Sequence, residues 1–497
     1  MGEREDDLYC FNGIDGTTGG YLSPSLTPEE LARRAFGGRC ERRPDEQVEA
    51  SLRNKLRFFH DRATETKFGA REGVDPKDLA QTGWGVIFAS RDRGGSEAVR
   101  EALGELLALR ERQCGARYHE YRGAQAYREG ERADQLLARL GMGPGPVDPD
   151  KVPYYLLLVG GPESIPYRFQ YELDVQYAVG RIHFDTLDEY ASYARSVALV
   201  EQGEVRRPRR AAFFGPQNPD DRATRMSATQ LVAPLTGWMS RWSMTTPRKP
   251  PWEVLRICGE DATKSRLLGL LGGAETPALL FTASHGMAFP CGDPRQLEHQ
   301  GALLCQDWPG PVMWSHRIPQ DFYLADDDID DSARLLGLIA FHFACYGGGT
   351  PQWDPFTQMR GGVARQVAPR PFLARLPQRL LGHESGGALA VIAHIERAFG
   401  FSFAWPGAGT QGATFESTVQ RLLEGHPIGS ALEYFNARYA ELSTKLSNEL
   451  DDVDNGAAPD LARLAELWIT NNDARSYVVF GDPAVRLPIT PAAPPLV

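Results

Sequence analysis

Short apolar runs that alternate with helical stretches are the feature that most constrains how this chain can fold. WGVIFAS (84–90) leads into SEAVREALGELLALRERQ, where Ser96 can cap a helix whose Val99, Leu103, Leu106 and Leu107 share one face, and YYLLLVGG (154–161) follows. Strand, amphipathic helix and strand in that order make a β-α-β unit, and such units build parallel sheets. A helix rich in Tyr, Ala and Val (187–200) closes this alternation, and the charged, Pro-broken VRRPRR (205–210) reads as a linker. A second alternation then begins with AAFFG (211–215), a helix near 221–240, VLRIC (254–258) and a helix capped around Asp261 or Thr263. PALLFTAS (277–284), LLGLIAFHFA (335–344) and GALAVIAH (387–394) are further buried strands; helices at about 411–424 and 428–446 and a last strand, SYVVF (476–480), complete it. The expected fold class is α/β: two consecutive α/β subdomains with mainly parallel sheets, at 80–206 and 207–497. Residues 1–79, turn-rich at GIDGTTGGYLSPS, helical in flavour from Thr27 and polar over 41–79, read as an N-terminal extension that wraps a later domain.

The size and charge of the chain exclude several classes of function. At 497 residues and 42% hydrophobic, it is long enough for two or more packed units. A net charge of −11 gives no nucleic-acid footprint. The start, MGEREDDLYCFNG, is acidic and lacks the apolar core of a secretory signal, and no apolar run approaches the roughly 18 residues of a membrane helix. Seven widely spaced cysteines, an odd number with no CxxC pair, suit reduced thiols in a cytoplasm better than disulfides or a zinc ribbon. No P-loop pattern occurs. The expectation is a cytoplasmic protein without a cofactor or bound metal, acting on neither nucleic acid nor membrane.

In open parallel sheets, ligands gather where the carboxyl ends of strands meet their loops. PALLFTAS ends at His285-Gly286 and LLGLIAFHFA ends at Cys345-Tyr346-Gly347, with a long polar insertion between them. On adjacent parallel strands, both side chains project from one edge. A thiol becomes a strong nucleophile as thiolate, and an imidazole can take its proton. Backbone amides of Gly286 and Cys345 can then serve as the oxyanion hole, and the glycines behind Cys345 leave room for a substrate backbone. The competing reading is that Cys345 is a small core residue, since free cysteine is among the most buried residue types. Other candidates read as structural. His342, three positions before Cys345, points to the opposite face; His383 and His394 are core histidines; Cys291 and Cys305 end no strand. The run DDDIDD (326–331) lacks the glycine and final Glu of a calcium loop and reads as a solvated acidic face.

TASHG followed by FHFACYGGG resembles the His-Gly and Ala-Cys-x-Gly signatures of caspase-like cysteine peptidases. LLLVGGPESIPYRFQYELDVQYAVGRI (156–182), HGMAFPCGDPRQLEHQGALLCQDWPG (285–310), GALAVIAHIERAF (387–399) and YVVFGDPAVRLP (477–488) resemble the bacterial branch with gingipain-like and CHAT-domain peptidases. The resemblance covers most of residues 80–488. It implies a first subdomain (80–206) that contributes the S1 pocket and a second (207–497) with the caspase-haemoglobinase fold and a His285–Cys345 dyad. Caspases that cut after Asp carry Gln two residues before the nucleophile, where this chain has Phe343. The segment ELDVQYAVGRI resembles the gingipain-like one whose Asp lines S1, which makes Asp174 the substrate-binding residue, selecting Arg over Lys by a bidentate pair. Glu163, in the neighbouring loop, is the carry-over that would orient His285. The implied function is a cysteine endopeptidase cleaving protein substrates after a basic residue, in a bacterial defence or cell-suicide cascade. Arg360, Arg365 and Arg370 in the Gly- and Pro-rich segment 350–387 are the implied processing sites of a zymogen, with an upstream protease as activating partner. The alternative is a catalytically silent caspase-fold scaffold that binds a partner protein.

Overall fold

The computed structural model describes residues 12–22, 26–27, 30, 32, 69–90, 93–246, 250–355, 365–405 and 409–489. Strands in chain order are β1 (Gly13–Asp15), β2 (Trp84–Phe88), β3 (Tyr118–Tyr121), β4 (Tyr155–Val159), β5 (Ala178–Ile182), β6 (Arg210–Gly215), β7 (Glu253–Cys258), β8 (Leu279–Ala283) and β9 (Gly286–Ala288). They continue with β10 (Leu303–Leu304), β11 (Tyr323–Leu324), β12 (Ile339–Phe343), β13 (Gly349–Thr350), β14 (Phe372–Leu373), β15 (Ala390–His394), β16 (Ala404–Trp405), β17 (Gly409–Thr410) and β18 (Tyr477–Gly481).

A ten-stranded sheet of order β3-β2-β4-β5-β18-β15-β12-β8-β6-β7 carries the fold. Its inner strands, such as YLLLV of β4 and IAFHF of β12, are buried at every position. Helices cover both faces of a parallel sheet, so its strands are apolar throughout instead of alternating. β3, reading YHEY, lies at the edge and is half-buried and polar. The two sequence alternations therefore share one sheet. β18, from the far end of the chain, joins them: it pairs parallel with β5 and antiparallel with β15. All other pairings in this sheet are parallel. The two halves consequently run in opposite directions, and the carboxyl ends of β8 and β12 share an edge with the amino ends of β18 and β5.

Buried contacts lock β18 in place. Asp482, directly after it, is fully buried, pairs with the equally buried Arg110 at 2.7 Å and accepts the Trp84 indole N–H at 2.9 Å. Tyr477 stacks into an aromatic cluster with Phe435 (centroids 4.4 Å apart), Phe341 and Phe415. A second, four-stranded sheet, β1-β9-β10-β11, includes β1 from the N-terminal segment, paired in parallel with β9.

Several local expectations change. Ser96 does not cap a helix; the helix starts at Arg93, ends at Ala102, and a second runs Gly104–Cys114, broken where glycine is a poor interior residue. Thr263, not Asp261, caps Lys264–Leu271, its side chain accepting the Arg266 N–H. The stretch 428–446 divides into Ile428–Ala431 and Glu433–Asp454, and a further helix, Leu461–Arg475, precedes β18. VRRPRR is stitched down: the Arg207 amide donates to the Pro488 carbonyl, its guanidinium to those of Leu336 and Arg334, and Arg210 opens β6. Among the described residues, no helix is long and apolar enough to cross a membrane.

Candidate active site

β8 and β12 are neighbours in parallel register, with Ala283 opposite Phe343. His285 and Cys345 each follow two residues beyond these partners, so the sheet brings them to the same edge, both fully buried. Gly286 has to be glycine here. A β-carbon on it would lie 1.8 Å from the Cys345 carbonyl oxygen.

The ring of His285 is fixed from behind. Its Nε2 lies 2.7 Å from Asp221 Oδ2, and neither side chain is exposed. Asp221 also accepts the Tyr21 hydroxyl (2.7 Å) and the Thr224 hydroxyl (2.5 Å), and it caps the helix Arg222–Met226. Burial works against its charge, but His285, Thr224 and Tyr21 outweigh that and hold the carboxyl down at about 2. A carboxylate on Nε2 directs that ring proton toward itself and leaves the Nδ1 lone pair for another proton. Nδ1 is buried and, among the described residues, makes no hydrogen bond. Asp221 is the residue that the sequence reading missed. Glu163, expected in its role, is half-exposed and pairs with Arg370 at 3.1 Å.

The Cys345 sulfur accepts the Ala398 N–H at 3.1 Å and lies 3.7 Å from the Ala398 carbonyl oxygen. Burial pushes its thiol up to about 12, only partly offset by the Ala398 amide. Among the described residues no hydrogen bond links it to His285. Its amide and that of Gly286 converge on a single oxygen, the backbone carbonyl of Asn12, at 3.2 and 3.0 Å. Asn12 is itself fully buried; its N–H donates to the Ala398 carbonyl at 3.1 Å and its side-chain amide to Ser227 Oγ at 2.8 Å.

The glycines behind Cys345 serve packing. A β-carbon on Gly348 would meet the Phe480 ring at 2.6 Å, and one on Gly349 the Tyr167 hydroxyl at 2.1 Å. Tyr346, between Cys345 and these glycines, takes the left-handed φ of 57°, and its amide is bound by the Glu396 carbonyl.

Asp174 ends the helix Tyr167–Asp174, on the same sheet edge as Cys345 but three strands away from β12, about 14 Å across the sheet. It is buried, one carboxyl oxygen has no partner among the described residues, and burial raises its carboxyl well above the usual range against the pull of Arg181. Arg360 lies outside the described residues. The Arg365 carbonyl accepts the Asp354 amide, and Arg370 is exposed. Phe343 is core, against Phe403. His342 bonds Thr282, and burial lowers it to about 4; His394 bonds the Asp473 carbonyl and His383 that of Asp330. Cys291 is exposed and Cys305 buried. Within the acidic run, Asp328 pairs with Lys264 at 2.7 Å, Asp327 accepts Gln320 and faces His299 at 3.5 Å, and Asp330 accepts Ser332.

No family model matches the sequence, and no curated protein matches it. Among solved structures, a chain described as "Structure of Protease" aligns with a TM-score of 0.45 and 11% identity, covering 82% of this chain and 78% of that one.

Proposed function

We propose that this chain is a cysteine endopeptidase of caspase-like type, with Cys345 as nucleophile, His285 as base and Asp221 as the group that orients the imidazole. The observation that carries this reading is the pair of amides, Gly286 and Cys345, aimed at one peptide carbonyl beside the Cys345 sulfur. Two fixed donors on one carbonyl oxygen are what a tetrahedral oxyanion requires. In the reaction, His285 Nδ1 takes the thiol proton as sulfur bonds to the carbonyl carbon. The imidazolium returns that proton to the departing amine as the C–N bond breaks. Water then hydrolyses the thioester, its hydroxyl going to the acyl carbon and its proton restoring the thiol.

Cleavage after a basic residue, Arg above all, rests on Asp174. Its partnerless, buried oxygen offers a place for a guanidinium, whose arrival restores the carboxylate's charge. The setting in a bacterial defence or cell-suicide cascade rests on resemblance alone. Fluorogenic peptides ending in Arg, Lys or Asp before the cut test the reading: the expected order is Arg, then Lys, with Asp refused, and no turnover by Cys345→Ala. Turnover by Cys345→Ala equal to that of the wild type overturns the assignment. The buried thiol favours one other reading, a silent scaffold, which absence of turnover after the cleft has been emptied would establish.

A further inference from the structure

The carbonyl held by the two amides belongs to the chain itself. Residues 12–16 run through the cleft, Gly13–Asp15 as strand β1. The Asn12 N–H bonds Ala398, the Asn12 carbonyl sits between the Gly286 and Cys345 amides, β1 pairs with β9, and the Gly16 N–H bonds the Ala288 carbonyl. Gly13 lies against the sulfur so closely that an added β-carbon would stand 3.1 Å from Cys345 Sγ and 2.4 Å from Leu22 Cδ1. A main chain bound by its N–H on one side of a residue and by paired amides on that residue's carbonyl is in the posture of a substrate. The bond presented to the sulfur is Asn12–Gly13.

We infer that the chain is its own first substrate: Cys345 cleaves the Asn12–Gly13 peptide bond, and until it does so the Asn12 carbonyl occupies the amide pair. The inference rests on the peptidase reading above but not on its preference for Arg. Sulfur bonds to the Asn12 carbonyl carbon, His285 passes the thiol proton to the Gly13 nitrogen, and the Asn12–Gly13 bond breaks. One water then releases Asn12 as a carboxylic acid and restores the thiol. The Asn12 side chain is recognised as an amide by Ser227, on the β6 side of the site and away from Asp174. Tethering supplies the high effective concentration that lets a residue other than Arg be cut. Loss of the segment frees the amide pair for the carbonyl of another protein. The processing site is thus in the N-terminal segment, in place of the loops at Arg360, Arg365 and Arg370.

The full chain, made by cell-free synthesis and followed by intact mass, tests this. The wild type is expected to lose residues 1–12 and begin at Gly13, while Cys345→Ala and the size-conserving Cys345→Ser stay whole. Cleavage after Asn12 in either variant assigns the cut to a foreign protease and overturns the inference. A cysteine-alkylating peptidyl acyloxymethyl ketone, in Asn- and Arg-ended forms, separates the two readings. A wild-type chain that stays whole yet is alkylated at Cys345, or that cuts peptides, overturns self-cleavage and leaves the peptidase standing. One that stays whole, is not alkylated and cuts no peptide overturns both.

Discussion

Two fully buried carboxylates follow strands in opposite halves of the sheet, and each holds a nitrogen base. Asp482, after β18, holds Arg110; Asp221, after β6, holds His285. Neither pair touches water, yet they serve different ends. Arg110 never gives up its proton, and Asp482 also receives Trp84 and the Ala484 amide, so both oxygens of this carboxylate are occupied and the pair is structural glue. An imidazole can give up its proton, and His285 has a second buried nitrogen that, among the described residues, makes no hydrogen bond. The difference shows what separates chemistry from scaffolding in a buried pair. It is a partner able to lose its proton, with a ring nitrogen whose lone pair can take up another.

The most damaging test of that contrast falls on the pair assigned to chemistry. His285→Ala is expected to lower peptide turnover about 10⁴-fold, as loss of a base that acts as a unit with its nucleophile does, with folding retained. Far-UV circular dichroism and a peptide assay check both halves, and near-normal turnover would remove His285 from the reaction. Asp221→Asn keeps the helix cap and the shape but offers the ring an amide that can favour the wrong tautomer. Turnover should fall about 10³-fold with little change in unfolding midpoint. An equal loss of stability and no loss of rate would make Asp221 a second Asp482.

The converse applies to Asp482→Ala, which leaves a buried guanidinium uncompensated and should cost about 3–5 kcal/mol in urea unfolding. Turnover per folded molecule, counted by active-site titration, should be unchanged. The smallest effect belongs to His342, a buried histidine with no carboxylate behind it. Burial depresses it to about 4, so the stability tied to its neutral form is complete above pH 6.5 and is lost as pH falls through 4. The loss is at most about 3 kcal/mol, and His342→Gln should flatten it. An unfolding curve at pH 5 that is no shallower in the variant would show that another group governs the acid limb.

Uniformly apolar runs made the strands legible, because only a strand buried on both faces reads that way, and the ends of such runs placed His285 and Cys345 together. Asp221 was hidden because an Asp ahead of Arg222–Met226 carries the ordinary signature of a helix cap, and its second partner lies far along the chain. The packing role of Gly348 and Gly349 was hidden for a similar reason: what they avoid is Phe480 and the Tyr167 hydroxyl, which arrive from remote segments. The polar edge strand β3 has no hydrophobic pattern to announce it. That Asn12 enters the cleft leaves no trace in local composition, since a lone Asn beside a Gly reads as a turn.

The place of β18 has a consequence for how the molecule is made. Synthesis runs from the N-terminus, so both flanking halves emerge first, with β5 and β15 exposing unpaired edges toward each other. Only when Tyr477–Gly481 has left the ribosome can it slip between them, pair with both and bring Asp482 to Arg110. Because β18 backs β15, whose following loop supplies Ala398 to Cys345 and Asn12, the cleft acquires its final wall last. The order of translation thereby acts as a timer: a half-made chain holds both Cys345 and His285 but not the frame that aligns them.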